Sequence, residues 1–274
     1  MTTSRRRLLF ATAAATAGLA APALQAQQRR SLKDPLRVGV DPALVESGLA
    51  GALQRGFGRD TGVAAQLVLG PSLPTLEALE RGELDAALTN APDAEAQLDR
   101  QGLVHDRHPI ALGALVLVGP APTKKLPDPA GIAKMTDVAQ ALARLRDTAH
   151  AETLAFRFLS AGDLSGTHAA EQALWRAAKV APAAPWYASG TAGPFAAQVR
   201  AAGGYALVER GAWLAHGGPP LAVLVEGDPL LELPVHVMRS FRVNHPAGKL
   251  FVEWIRGPKG RRVVASVRGY RVPG

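Results

Sequence analysis

The sequence predicts an α/β fold made of two successive units, with the chain returning late to the first. Three observations carry this reading. Strand-like runs such as Leu36-Arg-Val-Gly-Val40 alternate with stretches at helical spacing such as Leu49, Leu53 and Phe57, and that alternation implies a mostly parallel sheet. The apolar run Ala111 to Val118 is stopped by Gly119-Pro120, after which the pattern restarts. The 274 residues, 47% hydrophobic and 20% charged, lie in the ordinary globular range and suffice for a substantial core.

The elements follow in order. Leu36–Val40 is a first strand, and the helix bearing Leu49, Leu53 and Phe57 closes at Asp60-Thr-Gly62. Val63–Leu69 is a second strand, Leu73–Arg81 a short helix ended by Gly82, and Leu84–Leu88 a third strand. Beyond Gly119-Pro120, Thr136 or Asp137 can cap a helix whose Val138, Leu142 and Leu145 share one face. A strand over Leu154–Leu159 leads into Ser160-Ala-Gly-Asp-Leu-Ser-Gly-Thr-His168 and a helix running to about Lys179. Phe195–Arg200 reads as helix, and Tyr205–Val208, Leu221–Val225 and Val235–Val243 as strands. Leu250–Arg256 is expected to close the chain as a helix.

Residues 1–26 are an export signal by pattern. Arg5, Arg6 and Arg7 precede a short apolar stretch, and small residues follow at Ala23 and Ala26, where cleavage can fall. Ser4 before Arg5-Arg6 and Leu8-Leu9 after them fit a twin-arginine signal, with a general secretion signal as the alternative. Residues 27–35 form a basic, polar linker. No other segment is long and apolar enough to span a bilayer. The formal charge of +8 falls to +5 without the signal, 28 basic against 23 acidic side chains, and these are spread along the chain. That distribution points to solvation and some attraction for anions, not to nucleic acid. With no cysteine there is no disulfide, thiolate metal site, cysteine nucleophile or lipidated N-terminal cysteine, so the exported product is expected to be free in the periplasm.

At Asp163-Leu-Ser-Gly-Thr-His168 the sequence resembles the tungstate-binding proteins of ABC importers. The resemblance also covers Glu46-Ser-Gly-Leu49, Glu80-Arg-Gly82 with Asp85, Asn90-Ala-Pro92, Val118-Gly-Pro120 and Asp128-Pro-Ala-Gly-Ile132. Later come Trp186-Tyr187, Glu209-Arg-Gly211, Val225-Glu-Gly-Asp-Pro229 and His245-Pro246, in the same order from about residue 36 to 260. It implies a type II periplasmic binding protein fold, with two α/β lobes joined by hinge segments near Leu115–Val118 and Asp228–Leu233. Lobe 1 would hold residues 36–116 and 230–274, and lobe 2 residues 117–229. A small anionic ligand, a small molecule or an oxyanion of the tungstate kind, would be trapped between the lobes by hinge closure, and an ABC permease and ATPase would be partners in import. The protein is expected to act as a monomer without cofactor. A periplasmic sensor or accessory protein that binds a protein partner or a non-oxyanion ligand is the alternative on the same fold.

Ser165, Gly166 and Thr167 are the foremost ligand candidates. They sit where a strand gives way to a helix, so free backbone N–H groups and the helix dipole favour an anion. An ordinary N-cap is the competing reading, and Thr167 falls on a position that contacts oxyanion in the family. Ser72 offers a second hydroxyl beside the cleft, Ser189, Gly190 and Thr191 a glycine-rich loop, and Ser47 a cap of the first helix. Two departures count against tungstate. The family has a run of hydroxyl residues where this chain has Val40-Asp41-Pro42-Ala43, and an ionised Asp41 is expected to repel an oxyanion. It also carries an arginine where this chain has Ala161.

Enzymatic and metal readings are weaker. Ser165, His168 and Asp163 lie close in sequence, which is not triad geometry, and no Gly-x-Ser-x-Gly elbow occurs. His105, His108, His150, His216, His236 and His245 lack metal-ligand spacing. The cluster Arg256–Arg262 reads as a solvated helix end, and Trp175, Trp186, Trp213 and Trp254 as core or hinge packing.

Overall fold

The computed structural model describes residues 31–124, 127–151, 157–191 and 193–274. The signal, the start of the linker and residues 154–156 of an expected strand lie outside them.

The chain begins β1 (Leu36–Val40), α1 (Pro42–Glu46), α2 (Leu49–Thr61), β2 (Ala65–Leu69), α3 (Ser72–Glu80), β3 (Ala86–Thr89) and α4 (Pro92–Arg100). It continues through β4 (Val104–Pro120), α5 (Val138–Ala151), β5 (Phe158–Ser160), α6 (Gly166–Ala177), β6 (Tyr187–Ser189), α7 (Phe195–Ala202) and β7 (Ala206–Glu209). It ends with α8 (Arg210–His216), β8 (Leu221–Val225), a 3₁₀ turn (Pro229–Leu231), β9 (Glu232–Ser240), α9 (Pro246–Arg256) and α10 (Pro258–Ser266).

The seven-stranded sheet runs β2-β1-β3-β9-β4-β7, with β8 also on β4. Only β1 with β2 and β1 with β3 are parallel there. The expectation of a mostly parallel sheet is corrected by β4 and β9, which run against their neighbours. The 17 residues of β4 serve two groups of strands. Its first part pairs with β9 as far as Ala114 opposite Glu232, and from Leu115 onward it pairs with β7 and β8. β5 and β6 form a separate parallel pair, tied to the strand at Tyr205 by a bridge from Phe158.

The cores follow this division. One cluster gathers Leu36, Val38, Leu53 and Phe57 with Val235, Val237, Phe251 and Ile255, so the C-terminal segment returns to the first unit. Phe57 meets the Phe251 ring edge-on at 5.0 Å and Trp254 at 5.7 Å. Burying one such side chain contributes about 1.5–3 kcal/mol. A second cluster joins Leu115, Leu117, Leu142, Leu145, Phe158, Trp175, Tyr205 and Leu233. All four tryptophans are buried in these cores or in a third around Val116 and Val208.

Four helices were not anticipated, among them α8, which Glu209 caps at Ala212 N. α1 opens at Asp41, whose side chain accepts from Ala43 N, with Pro42 in the first turn. α4 opens with Pro92, and α10 follows Gly257 with Pro258. The chain therefore does not close at Arg256: α10 follows, and Arg271 then bridges to Leu112 of β4. No helix among the described residues is long and apolar enough to cross a membrane.

Candidate ligand-binding site

A cavity of about 800 Å³ opens between the two groups of strands. From the first unit it is lined by Asp41, Pro42, Ala43, Val45, Glu46, Leu69, Gly70 and Pro71. From the second come Ala161, Gly162, Asp163, Ser165, Thr167, Gly190, Thr191, Gly193, Pro194 and Phe195, together with Val208, Glu209, Ala212 and His216.

At its floor lies the carboxylate of Asp41, which is fully buried. Its Oδ1 accepts from Ala43 N at 3.1 Å. Its Oδ2 accepts from Ser72 N at 3.1 Å, Ser72 Oγ at 2.6 Å and Gly166 N at 3.0 Å. The donors are the first turns of α1, α3 and α6, where unsatisfied N–H groups and helix dipoles converge. An anion is what such a cradle holds, and here the chain supplies its own. The repulsion expected of Asp41 is thus only half of the account, because the same group also takes up the donors. Burial pushes its carboxyl above the usual range, against hydrogen bonds from Ser72, Gly166 and Ala43 that pull it down.

The other helix starts facing the cavity are filled in the same way. Glu46 accepts from Phe195 N at the start of α7 at 3.1 Å, and burial again raises its pKa. Glu209 caps α8 by accepting from Ala212 N at 2.9 Å, and burial raises it to about 7. Asp163 Oδ1 accepts from Ser165 N at 3.0 Å in the turn before α6. That turn holds Leu164 at φ +64, a left-handed conformation uncommon for a bulky side chain, and Leu164 O accepts from Leu73 N at 3.2 Å. The bonds of Asp41 to Gly166, Leu73 to Leu164 and Glu46 to Phe195 all link the first unit to the second.

The eight anticipated site residues fall into three groups. Ser165, Thr167, Gly190 and Thr191 line the cavity. Ser165 Oγ accepts from His168 N as an N-cap, whereas Thr167 Oγ1 is buried without a hydrogen-bond partner. Thr191 N and Oγ1 both donate to Gln198 of α7. Ser72 and Gly166 lie beneath the cavity as donors to Asp41. Gly166 is required there, because a Cβ at this position would overlap the side chain and carbonyl oxygen of Asn90.

Ser47 and Ser189 are placed elsewhere. Ser47 caps the C-terminus of α1, donating to Leu44 O and accepting from Tyr270 OH at 2.7 Å. Ser189 borders a neighbouring cavity with His168 and Tyr187. Sequence reasoning missed Glu46 and Glu209 as cavity residues, although both stood within quoted motifs. It also missed the role of Asp41 as an N-cap, which the pair Asp41-Pro42 signals.

The His168 ring accepts from Leu164 N and lies beside Gln172, so it does not address the Ser165 hydroxyl as a catalytic base would. No cluster of three metal-ligating side chains occurs among the described residues.

Two lobes joined by two crossing strands, with the cavity between them, define a type II periplasmic binding protein fold. The chain belongs to the PBP superfamily, whose domain it matches over residues 20–255. It is 27% identical over 255 residues to a tungstate-binding protein of Peptoclostridium acidaminophilum, covering 87% of this chain and 83% of that one. Among solved structures it is similar to the tungstate ABC transporter of Geobacter sulfurreducens, with a TM-score of 0.71, 27% identity and coverage of 85% and 98%. It is also similar to the tungstate-binding protein of Desulfovibrio alaskensis, with a TM-score of 0.68, 27% identity and coverage of 88% and 100%.

Proposed function

We propose that this protein is the solute-binding component of an ABC importer, working in the periplasm, where two lobes close on a small ligand. The observation that carries this reading is the cavity itself, whose walls come from both lobes and whose lining is tied across them by hydrogen bonds from Gly166 N to Asp41 and from Phe195 N to Glu46. Lobe 1 is assigned residues 36–116 and 230–274, and lobe 2 residues 117–229. The strand register of β4 and β9 and the two core clusters support that division. Similarity to tungstate-binding proteins and to an ABC transporter structure supports a permease and an ATPase as partners and a solute-binding, non-enzymatic role. The pattern Ser4-Arg5-Arg6-Arg7-Leu8-Leu9 supports export by the twin-arginine machinery, with residues 1–26 removed.

Native mass spectrometry of protein taken from the periplasm, with X-ray scattering before and after removal of what is bound, tests the reading. A retained small molecule whose release opens the protein is the expected result. A protein that carries no solute, and changes shape with none from a periplasmic extract, overturns it.

A further inference from the structure

The cavity carries information about the chemical class of its ligand. The helix starts that face it are already capped by side chains of the chain itself: α1, α3 and α6 by Asp41, α7 by Glu46 and α8 by Glu209. The helix-start N–H groups that these side chains occupy are therefore closed to a free anion. Four carboxylates line the cavity, from Asp41, Glu46, Asp163 and Glu209, and no lysine or arginine joins them among the described residues. His216 is the one lining side chain there that can become cationic, and its Nε2 donates to Glu46 O at 3.0 Å.

The remaining wall is largely apolar, with Val45, Leu69, Pro71, Phe195 and Val208 among its side chains. At about 800 Å³ the space falls within the range of about 300–1,000 Å³ that organic ligands occupy, far more than a tetrahedral oxyanion needs. An independent mark of a ligand comes from Thr167. It is 4% exposed, it lines this cavity, and its hydroxyl has no hydrogen-bond partner. A buried hydroxyl without a partner is costly unless something fills the space beside it.

Resting on the solute-binding reading above, we propose that the cleft takes a small organic cation, an ammonium group on an apolar body, with Asp41 as a fixed anion at the cavity floor. The acidic wall offers the ammonium group its counter-charge, and the apolar residues of the same wall receive the body. Thr167 Oγ1 accepts from the ammonium N–H or donates to a polar group beside it. An anionic ligand of the same shape meets a wall whose acidic side chains face no lysine or arginine among the described lining residues.

A charge series at constant shape tests this. Benzylammonium, benzyl alcohol and benzoate are titrated calorimetrically against the mature protein, with tungstate alongside. Benzylammonium is expected to bind at least tenfold tighter than benzyl alcohol, and benzoate and tungstate to bind more weakly still. Glu46→Gln retains an acceptor for Phe195 N and is expected to lower benzylammonium affinity at least fivefold while leaving benzyl alcohol unchanged. Glu209→Gln is expected to do the same above pH 7, where burial no longer keeps the Glu209 carboxyl protonated. Binding of benzoate or tungstate tighter than benzylammonium overturns the proposal, as do equal affinities across the series or binding of none of the four. X-ray scattering on whichever probe binds separates the two levels. Closure around benzoate or tungstate and not around benzylammonium refutes the cation class and leaves solute capture standing, whereas binding without closure refutes capture itself.

Discussion

Removing the carboxylate of Asp41 should expose the anion seat and make it dependent on what is dissolved around it. In Asp41→Ala four donors lose their acceptor: Ala43 N, Ser72 N, Ser72 Oγ and Gly166 N. Ser72 Oγ retains Asn90 Oδ1 at 3.2 Å, leaving three backbone N–H groups to water. A hydrogen bond to a charged group is worth about 1.5–3 kcal/mol net, so three bring a loss of about 4.5–9 kcal/mol at most. Two effects reduce it. Water can enter the vacated space, and the cost of burying the carboxylate, which holds its pKa up, disappears with it. The expected net destabilisation is about 2–4 kcal/mol, or roughly 4–16 °C in Tm for a chain of this size. Sulfate or tungstate should then restore stability to the variant, by about 2.7 kcal/mol at a hundredfold excess over Kd, and do nothing for the parent. Differential scanning calorimetry with and without the anions measures both. Isothermal titration should find tungstate weak or silent on the parent and measurable on Asp41→Ala. A variant as stable as the parent, or low-nanomolar tungstate binding by the parent, would refute the reasoning.

Two further outcomes follow from the same geometry. Burial raises Glu209 and Glu171 from 4.5 to about 7, so the folded chain holds both protons more tightly than the unfolded one. Their contribution favours folding up to about pH 4.5 and is lost as pH rises through about 7, at up to about 3 kcal/mol each. Glu209→Gln should flatten the fall in stability between pH 4.5 and 7.5, and a variant whose denaturation curves fall as steeply as the parent's contradicts this. Gly166→Ala places a methyl group against Asn90 across the lobe contact. It should cost at least about 1–3 kcal/mol by overpacking and enlarge the radius of gyration in solution; an unchanged scattering profile would show that the lobes do not meet there.

Much of the fold was legible because its strands and long helices announce themselves by period. β1 lies at Leu36–Val40 as read, and α2 buries Leu49, Leu53 and Phe57 before Gly62 turns at φ +73. Three of the four helices that escaped share a different signal, and the fourth, α8, starts at Arg210 behind the capping carboxylate of Glu209. α1, α4 and α10 are short and begin with proline in the first turn, so capping and not periodicity marks them. Strand direction was hidden for a physical reason: side chains alternate identically in parallel and antiparallel strands, and β4 and β9 declare their sense only through register. The site was legible in part. A hydroxyl and a glycine at a helix start point to an anion, and Gly166 does hold one. What no local pattern shows is that the anion stands at residue 41 and reaches donors at 72 and 166.

The tethering of that carboxylate changes what the protein can sense. Even a flexible link presents a group to its partner at millimolar effective concentration, and Asp41 is held in the seat by the turn of α1 itself. A dissolved anion must outcompete a rival that never diffuses away and cannot be depleted. Occupancy of the seat is therefore independent of supply, and a scarce oxyanion outside the cell leaves no trace in it. The one thing left free to vary with the environment is the space above.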